Sequence, residues 1–116
     1  MQKYFGAIIK QSLSDDSTLT FFNIKKIEET DDEIVEDRWH LYYVESQMEN
    51  IEKLALYIKE GPWYAHFWNR EEMIVVFKNK VVTFLHEDRA ALFAVKEYGK
   101  SIGIKEEQLD FVIKNL

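Results

Sequence analysis

The sequence predicts an α+β fold: a single two-layer domain spanning residues 1–116, with a mainly antiparallel sheet of five or six strands and two principal helices on one face. Three observations carry this. Short runs with strand alternation recur along the chain, Met73 to Phe77 and Val81 to Leu85 are apolar and rich in β-branched residues, and two stretches show apolar side chains at helical spacing. The organising stretch is Gly61 to His86, which reads as three consecutive strands launched from the end of a helix.

Taken in order, Tyr4 to Gln11 alternates Tyr4, Gly6 and Ile8 with Phe5, Ala7 and Ile9, as a strand does. Gly6 inside it marks a bulge or a close backbone approach. Ser14, Asp15 and Asp16 are helix N-cap residue types, so a short helical turn is expected through Leu19 to Phe22 before the chain extends through Ile24 and Ile27. Glu28 to Asp37 then places seven acidic residues in ten positions. Such a run is read as a solvated loop, because carboxylates packed at that density repel one another and lose hydration. Calcium binding is the functional alternative, but the ordered ligand positions and central Gly of an EF-hand loop are missing.

Arg38 to Glu45 alternates again and is the next strand. Ser46-Gln47-Met48-Glu49 fits a capping box, and Met48, Ile51, Leu54, Ala55 and Ile58 form an apolar stripe, so a helix is expected over about 47–60. Gly61 and Pro62 stop it. The strand that follows puts Trp63, Ala65 and Phe67 on one side and Tyr64, His66 and Trp68 on the other. Strand, helix and strand make a β-α-β unit whose strands should run parallel if they share a sheet. Met73 to Phe77 and Val81 to Leu85 are apolar on both faces, as in strands covered on both sides, and Lys78-Asn79-Lys80 makes the hairpin between them. A second helix over about 88–102 buries Ala91, Leu92, Val95, Tyr98 and Ile102, with Gly103 as its stop. Gly99 in its interior implies close packing against a neighbouring backbone, since Gly costs about 1 kcal/mol there. Leu109, Phe111 and Ile113 then dock the tail, with Asp110 expected to tie it down through backbone amides.

Composition narrows the function classes. The chain carries 15 basic and 21 acidic residues, a formal charge of −6, and its three arginines are scattered. A phosphate-backbone binder needs a clustered cationic surface, so nucleic acid and anionic membrane are disfavoured as partners. There is no Cys, which removes disulfides, thiolate metal ligands and Cys nucleophiles. No segment has the run of about 20 apolar residues that spans a bilayer, and the N-terminus lacks the pattern of a signal peptide. A cytoplasmic protein is the expectation.

The second half resembles a widespread family of small uncharacterised bacterial proteins. The residues that carry the resemblance are Gly61-Pro62-Trp63-Tyr64-Ala65 with Phe67, then Glu72 and Val75-Val76-Phe77, then Tyr98 through Gly103-Ile104 to Gln108-Leu109-Asp110-Phe111. Members usually carry Pro after the Gly-Ile pair, where this chain has Lys105. The resemblance implies the same single-domain organisation and no particular chemistry.

For a site, Trp39, Leu41 and Tyr43 are grouped with Trp63, Ala65 and Phe67 beneath the helices. That leaves His40, Tyr42, Tyr64, His66 and Trp68 together on the opposite face as the candidate binding surface. Rigid side chains with a polar handle suit an aromatic ligand or an oligomer interface. His66 as general base, assisted by Tyr64 or Glu72, is the enzymatic reading; a hydrogen-bonded sheet histidine is the commoner role for such a residue. His40, His66 and His86 match no local metal motif and lie on three different strands, so no metal and no cofactor is assigned. His86-Glu87-Asp88 is read as capping of the second helix. Gly-rich phosphate loops, G-x-S-x-G and H-E-x-x-H are all missing. The expected function is a non-enzymatic binding or protein-interaction module, a homodimer covering part of the aromatic face or a partner of another protein. The alternative is a small-molecule-binding domain or enzyme with a pocket around Tyr64, His66 and Trp68, between that face and the N-terminal segment.

Overall fold

The elements appear in a computed structural model, which describes residues 3–30 and 38–113. Six strands are arranged β2-β3-β1-β4-β5-β6, every neighbouring pair antiparallel: β1 (Tyr4–Ile9), β2 (Asn23–Glu29), β3 (His40–Ser46), β4 (Ala65–Trp68), β5 (Glu72–Phe77) and β6 (Lys80–Leu85). Helices α1 (Met48–Leu54) and α2 (Arg89–Ser101) complete the fold. This is the predicted α+β class, with a six-stranded open sheet. Because β3 and β4 both run antiparallel to β1, they are parallel to each other, with β1 between them. Among the described residues no helix is long and apolar enough to cross a membrane.

The two helices lie on opposite faces of the sheet, not on one. Ile51 and Leu54 of α1 pack with Tyr4, Ile8, Val44, Ala65, Phe67, Ile74 and Val76. Val95 of α2 packs with Ala7, Tyr43, Trp68, Met73, Val75, Phe77 and Phe84. The cause is visible in β5, where Met73 to Phe77 is buried at every position. A strand apolar on both sides needs a cover on both, so one helix goes to each face. β6 departs from that pattern: it is an edge strand with only Phe84 buried.

Gly6 makes room for a side chain rather than for a bulge or a second backbone. β1 pairs regularly on both sides, and an added Cβ would sit 2.1 Å from Cδ2 of the Phe67 ring, which lies across the glycine. The bulge is instead in β2, between Ile24 and Lys26. Asp15 caps a 3-10 turn over Asp16–Phe21, its Oδ1 accepting from the Ser17 N–H at 2.9 Å.

The capping box does not form. Ser46 is still part of β3, paired with Tyr4, and its hydroxyl donates to the Gln47 carbonyl, so Gln47 takes the N-cap position without a side-chain bond. The helix also stops early, at Leu54. Beyond it the backbone serves neighbours: the Tyr57 carbonyl accepts from Ser14 N–H and the Ala55 carbonyl from Asn79 N–H, at 2.8 and 2.9 Å, while Ile58 bridges Leu13. The stripe from Ile51 to Ile58 is buried nonetheless. Asn79, in the hairpin before β6, takes φ 58°, a left-handed conformation that Asn tolerates.

α2 has its predicted extent within a residue at each end, with the Asp88 carboxylate accepting from Ala91 N–H at 3.1 Å and Gly103 at φ 97° beyond its end. Gly99 is packed against a side chain rather than a backbone: a Cβ there would stand 2.8 Å from Cδ2 of the fully buried Leu109. The chain then turns through Glu106–Gln108 and lays Leu109 and Phe111 on the α2 face, while Ile113 is exposed. In the acidic run, Glu28 and Glu29 belong to β2; positions 31–37 lie outside the described residues.

Candidate functional site

The register of β1 decides which side chains share a face. Ala7 stands opposite both Tyr43 of β3 and His66 of β4, and Gly6 opposite both Val44 and Phe67. Directly opposed residues in antiparallel strands project to the same side. Leu41 and Tyr43 therefore share the α2 face with Tyr64, His66 and Trp68, whereas Tyr42 packs on the α1 face with Ala65 and Phe67. The predicted grouping is offset by one residue in β3. Each strand keeps its expected alternation, but alternation alone fixes no phase across an intervening strand.

His40 and Tyr42 are thus separated from the other three candidates. His40 is held where β3 meets the turn after β1: Gln11 Nε2–H donates to its Nδ1 at 2.9 Å, Gln11 Oε1 accepts from its backbone N–H at 3.0 Å, and Glu29 lies 3.7 Å from its Nε2. His86 donates Nε2–H to the Asn69 carbonyl at 2.8 Å and so fastens the loop between β4 and β5. Among the described residues no group of three or more His, Asp or Glu side chains is placed to hold a metal ion.

Tyr64, His66 and Trp68 do come together. The His66 ring centroid is 5.2 Å from that of Trp68, 6.1 Å from Tyr64 and 6.0 Å from Phe111. α2 and the C-terminal segment of the same chain cover this face. The Tyr64 hydroxyl donates to the Gln108 carbonyl, and His66 Nε2 lies 2.8 Å from the Val112 carbonyl. A carbonyl can only accept, so Nε2 carries the proton and Nδ1 is the acceptor atom of the neutral ring. Among the described residues these two bonds, rather than the Asp110 carboxylate, hold the tail to the sheet.

A cavity of about 390 Å³ opens beside them, between the sheet and residues 107–112. The N-terminal strand β1 forms part of its floor, and the C-terminal segment stands over the sheet on its other side. Its floor is Ala7, Ile9, Leu41 and Tyr43, its walls include Trp39, Tyr64 and His66, and Glu107 and Asp110 stand at the rim. Trp68 is buried outside it. Alternation along β3 taken alone puts Leu41 and Tyr43 on the other face, and the sequence around Asp110 points to an anchor rather than to a lining residue.

Burial holds the His66 pKa below the usual imidazole range, against the smaller opposing pull of its bond to Val112 and of the Asp110 charge. Burial also pushes the Tyr64 phenol well above its ordinary value, with Asp110 adding to the shift. Both side chains are neutral at pH 7. Glu72 cannot assist His66, because it accepts from the Tyr4 hydroxyl at 3.1 Å on the α1 face. With the phenol committed to one carbonyl and Nε2 to another, Nδ1 remains the acceptor nitrogen of the His66 ring. Comparison with family models, with curated proteins and with solved structures finds no match for the chain.

Proposed function

We propose that the protein is a non-enzymatic small-molecule-binding domain whose ligand is an organic cation with an apolar or aromatic body, held in the cavity between the sheet and the C-terminal segment. The lining carries the reading: aromatic and aliphatic side chains with Thr30, His66 and Gln108, two carboxylates and, among the described residues, no Lys or Arg. Concave, mostly apolar sites with a few convergent polar groups are where small ligands bind. Aromatic faces attract a cation through the ring quadrupole, and carboxylates at the mouth add Coulombic attraction. A chain of net charge −6 also raises the local concentration of cations around it.

Thermal melting against matched pairs of probes tests this. Phenethylamine and tryptamine should stabilise the protein, and phenylacetate and indole-3-acetate should not. An amine at 100 times its Kd adds about 2.7 kcal/mol, a rise in Tm of about 10 °C for a domain of this size. Asp110→Asn, at an exposed position, should weaken amine binding and leave the unliganded Tm unchanged. Equal shifts from the carboxylates, or no shift from any amine, would sink the proposal.

A further inference from the structure

β2 is the outermost strand on its side of the sheet, so one row of its backbone groups has no ladder partner among the described residues. Which groups point outward follows from the pairing. Thr30 N–H donates to the Trp39 carbonyl at 2.9 Å, and the β2–β3 register runs without interruption from Lys26 to Glu29. Backbone groups alternate in direction along an antiparallel strand. Thr30 and Glu28 therefore face β3, whereas Ile27 and Glu29 direct their N–H and C=O to the open edge.

The side chains along that edge read Lys25-Lys26-Ile27-Glu28-Glu29, a sequence whose charges invert about its centre. Turned end for end on itself about Ile27, the strand sets Lys26 opposite Glu28 and Lys25 opposite Glu29. Ile27 meets Ile27 at a position where both carry outward N–H and C=O groups, so the two residues can exchange both hydrogen bonds. Ile27 is 53% exposed and Ile24 is 40% exposed, which leaves apolar surface beside the edge for the same contact to cover.

We infer that β2 pairs antiparallel with β2 of a second copy of this chain about a two-fold axis at Ile27, joining the two sheets edge to edge. An interface of this kind is self-complementary, as two-fold symmetry requires. Lysines on an edge strand ordinarily guard it against stray pairing, and here they admit only a strand with Glu at the matching positions. The bulge at Lys25 lies outside the three central pairs, Lys25 already reaches Glu45 at 3.3 Å, and Lys26 and Glu28, 3.8 Å apart along one strand, exchange that contact for the matching pairs across the axis. β6, the opposite edge, has one charged residue, Lys80, and no such complement. The inference is independent of the cavity.

Sedimentation equilibrium on the full chain tests it, using Lys26→Glu and Glu28→Lys as separate variants. The wild type should show a reversible monomer–dimer equilibrium that weakens as salt is raised. Each variant alone places like charges opposite each other twice, and should weaken self-association on the order of tenfold or more. An equimolar mixture of the two variants restores opposite charges at both pairs and should dimerise like the wild type. Far-UV circular dichroism of each variant checks that the fold is kept. A wild type that stays monomeric to about 1 mM overturns the proposal. So does a dimer indifferent to both variants, or a mixture that fails to recover association.

Discussion

His66 and Val112 are 46 residues apart in sequence and 2.8 Å apart in space, joined by a hydrogen bond from the imidazole Nε2–H to the main-chain carbonyl. Two positions earlier on the same strand face, the Tyr64 hydroxyl does the same for Gln108. The C-terminal segment that walls the cavity is thus fastened by side chains of β4 and its approach. Phe111 between those carbonyls is buried against Tyr64, ring centroids 5.4 Å apart, at φ 47°. A non-glycine residue in the left-handed region costs energy, which the packing of its ring and the two flanking bonds offset.

Tyr64→Phe removes one fastening and leaves the Gln108 carbonyl without its donor while keeping the ring. The expected loss of stability is about 1–2 kcal/mol by urea unfolding. Hydrogen exchange should locate the effect: amides of residues 104–113 should exchange faster, and those of β5 should change only by the global difference.

Stability should fall as pH drops below the ordinary imidazole pKa of 6.5, in part through His66. The sign follows from its lowered pKa. Between the unfolded and folded values the unfolded chain binds the proton more readily, so protonation favours unfolding, and the penalty is complete once pH lies below the folded value. His66→Gln keeps an N–H that can reach Val112 and removes the titration. The wild-type and variant stabilities should therefore change relative to each other as pH falls from 7 towards 5. A constant difference across that range would show that His66 titrates alike in both states.

Gly99 and Leu109 should behave as a coupled pair. Gly99→Ala gains about 1 kcal/mol of helix propensity and loses about 1–3 kcal/mol to crowding, because the new Cβ meets Leu109 Cδ2 at 2.8 Å. Leu109→Ala alone should cost about 2–5 kcal/mol through the cavity it leaves. The double variant should be more stable than the sum of the two predicts, by roughly 1 kcal/mol or more in a double-mutant cycle. Additive losses would mean that Leu109 moves aside freely.

Much of this molecule is local, and the local parts were legible. The β5 run, the Asp88 cap, Gly103 beyond α2 and the Asp15 turn each depend on residues within a few positions of one another, where period and capping chemistry act directly. The α1 stripe correctly named buried residues yet overstated the helix. Ala55 and Tyr57 turn out of the α-ladder to supply carbonyls to Asn79 and Ser14, partners 24 and 43 positions away in the sequence. The Ser46 capping box failed for the same kind of reason: Tyr4, across the sheet, keeps Ser46 in a strand.

The candidate site divides along the same line. Side-chain alternation and apolar spacing are properties of a single segment, and they suffice to put Tyr64, His66 and Trp68 on one side of a strand and to dock the tail through Leu109 and Phe111. The assembled sheet is what places Tyr43 and Leu41 on that side, keeps His40 and Tyr42 off it, and sends α1 and α2 to opposite faces. Those outcomes depend on β1 inserting between β3 and β4 with Ala7 facing both Tyr43 and His66, a register set by long-range pairing that no single strand encodes.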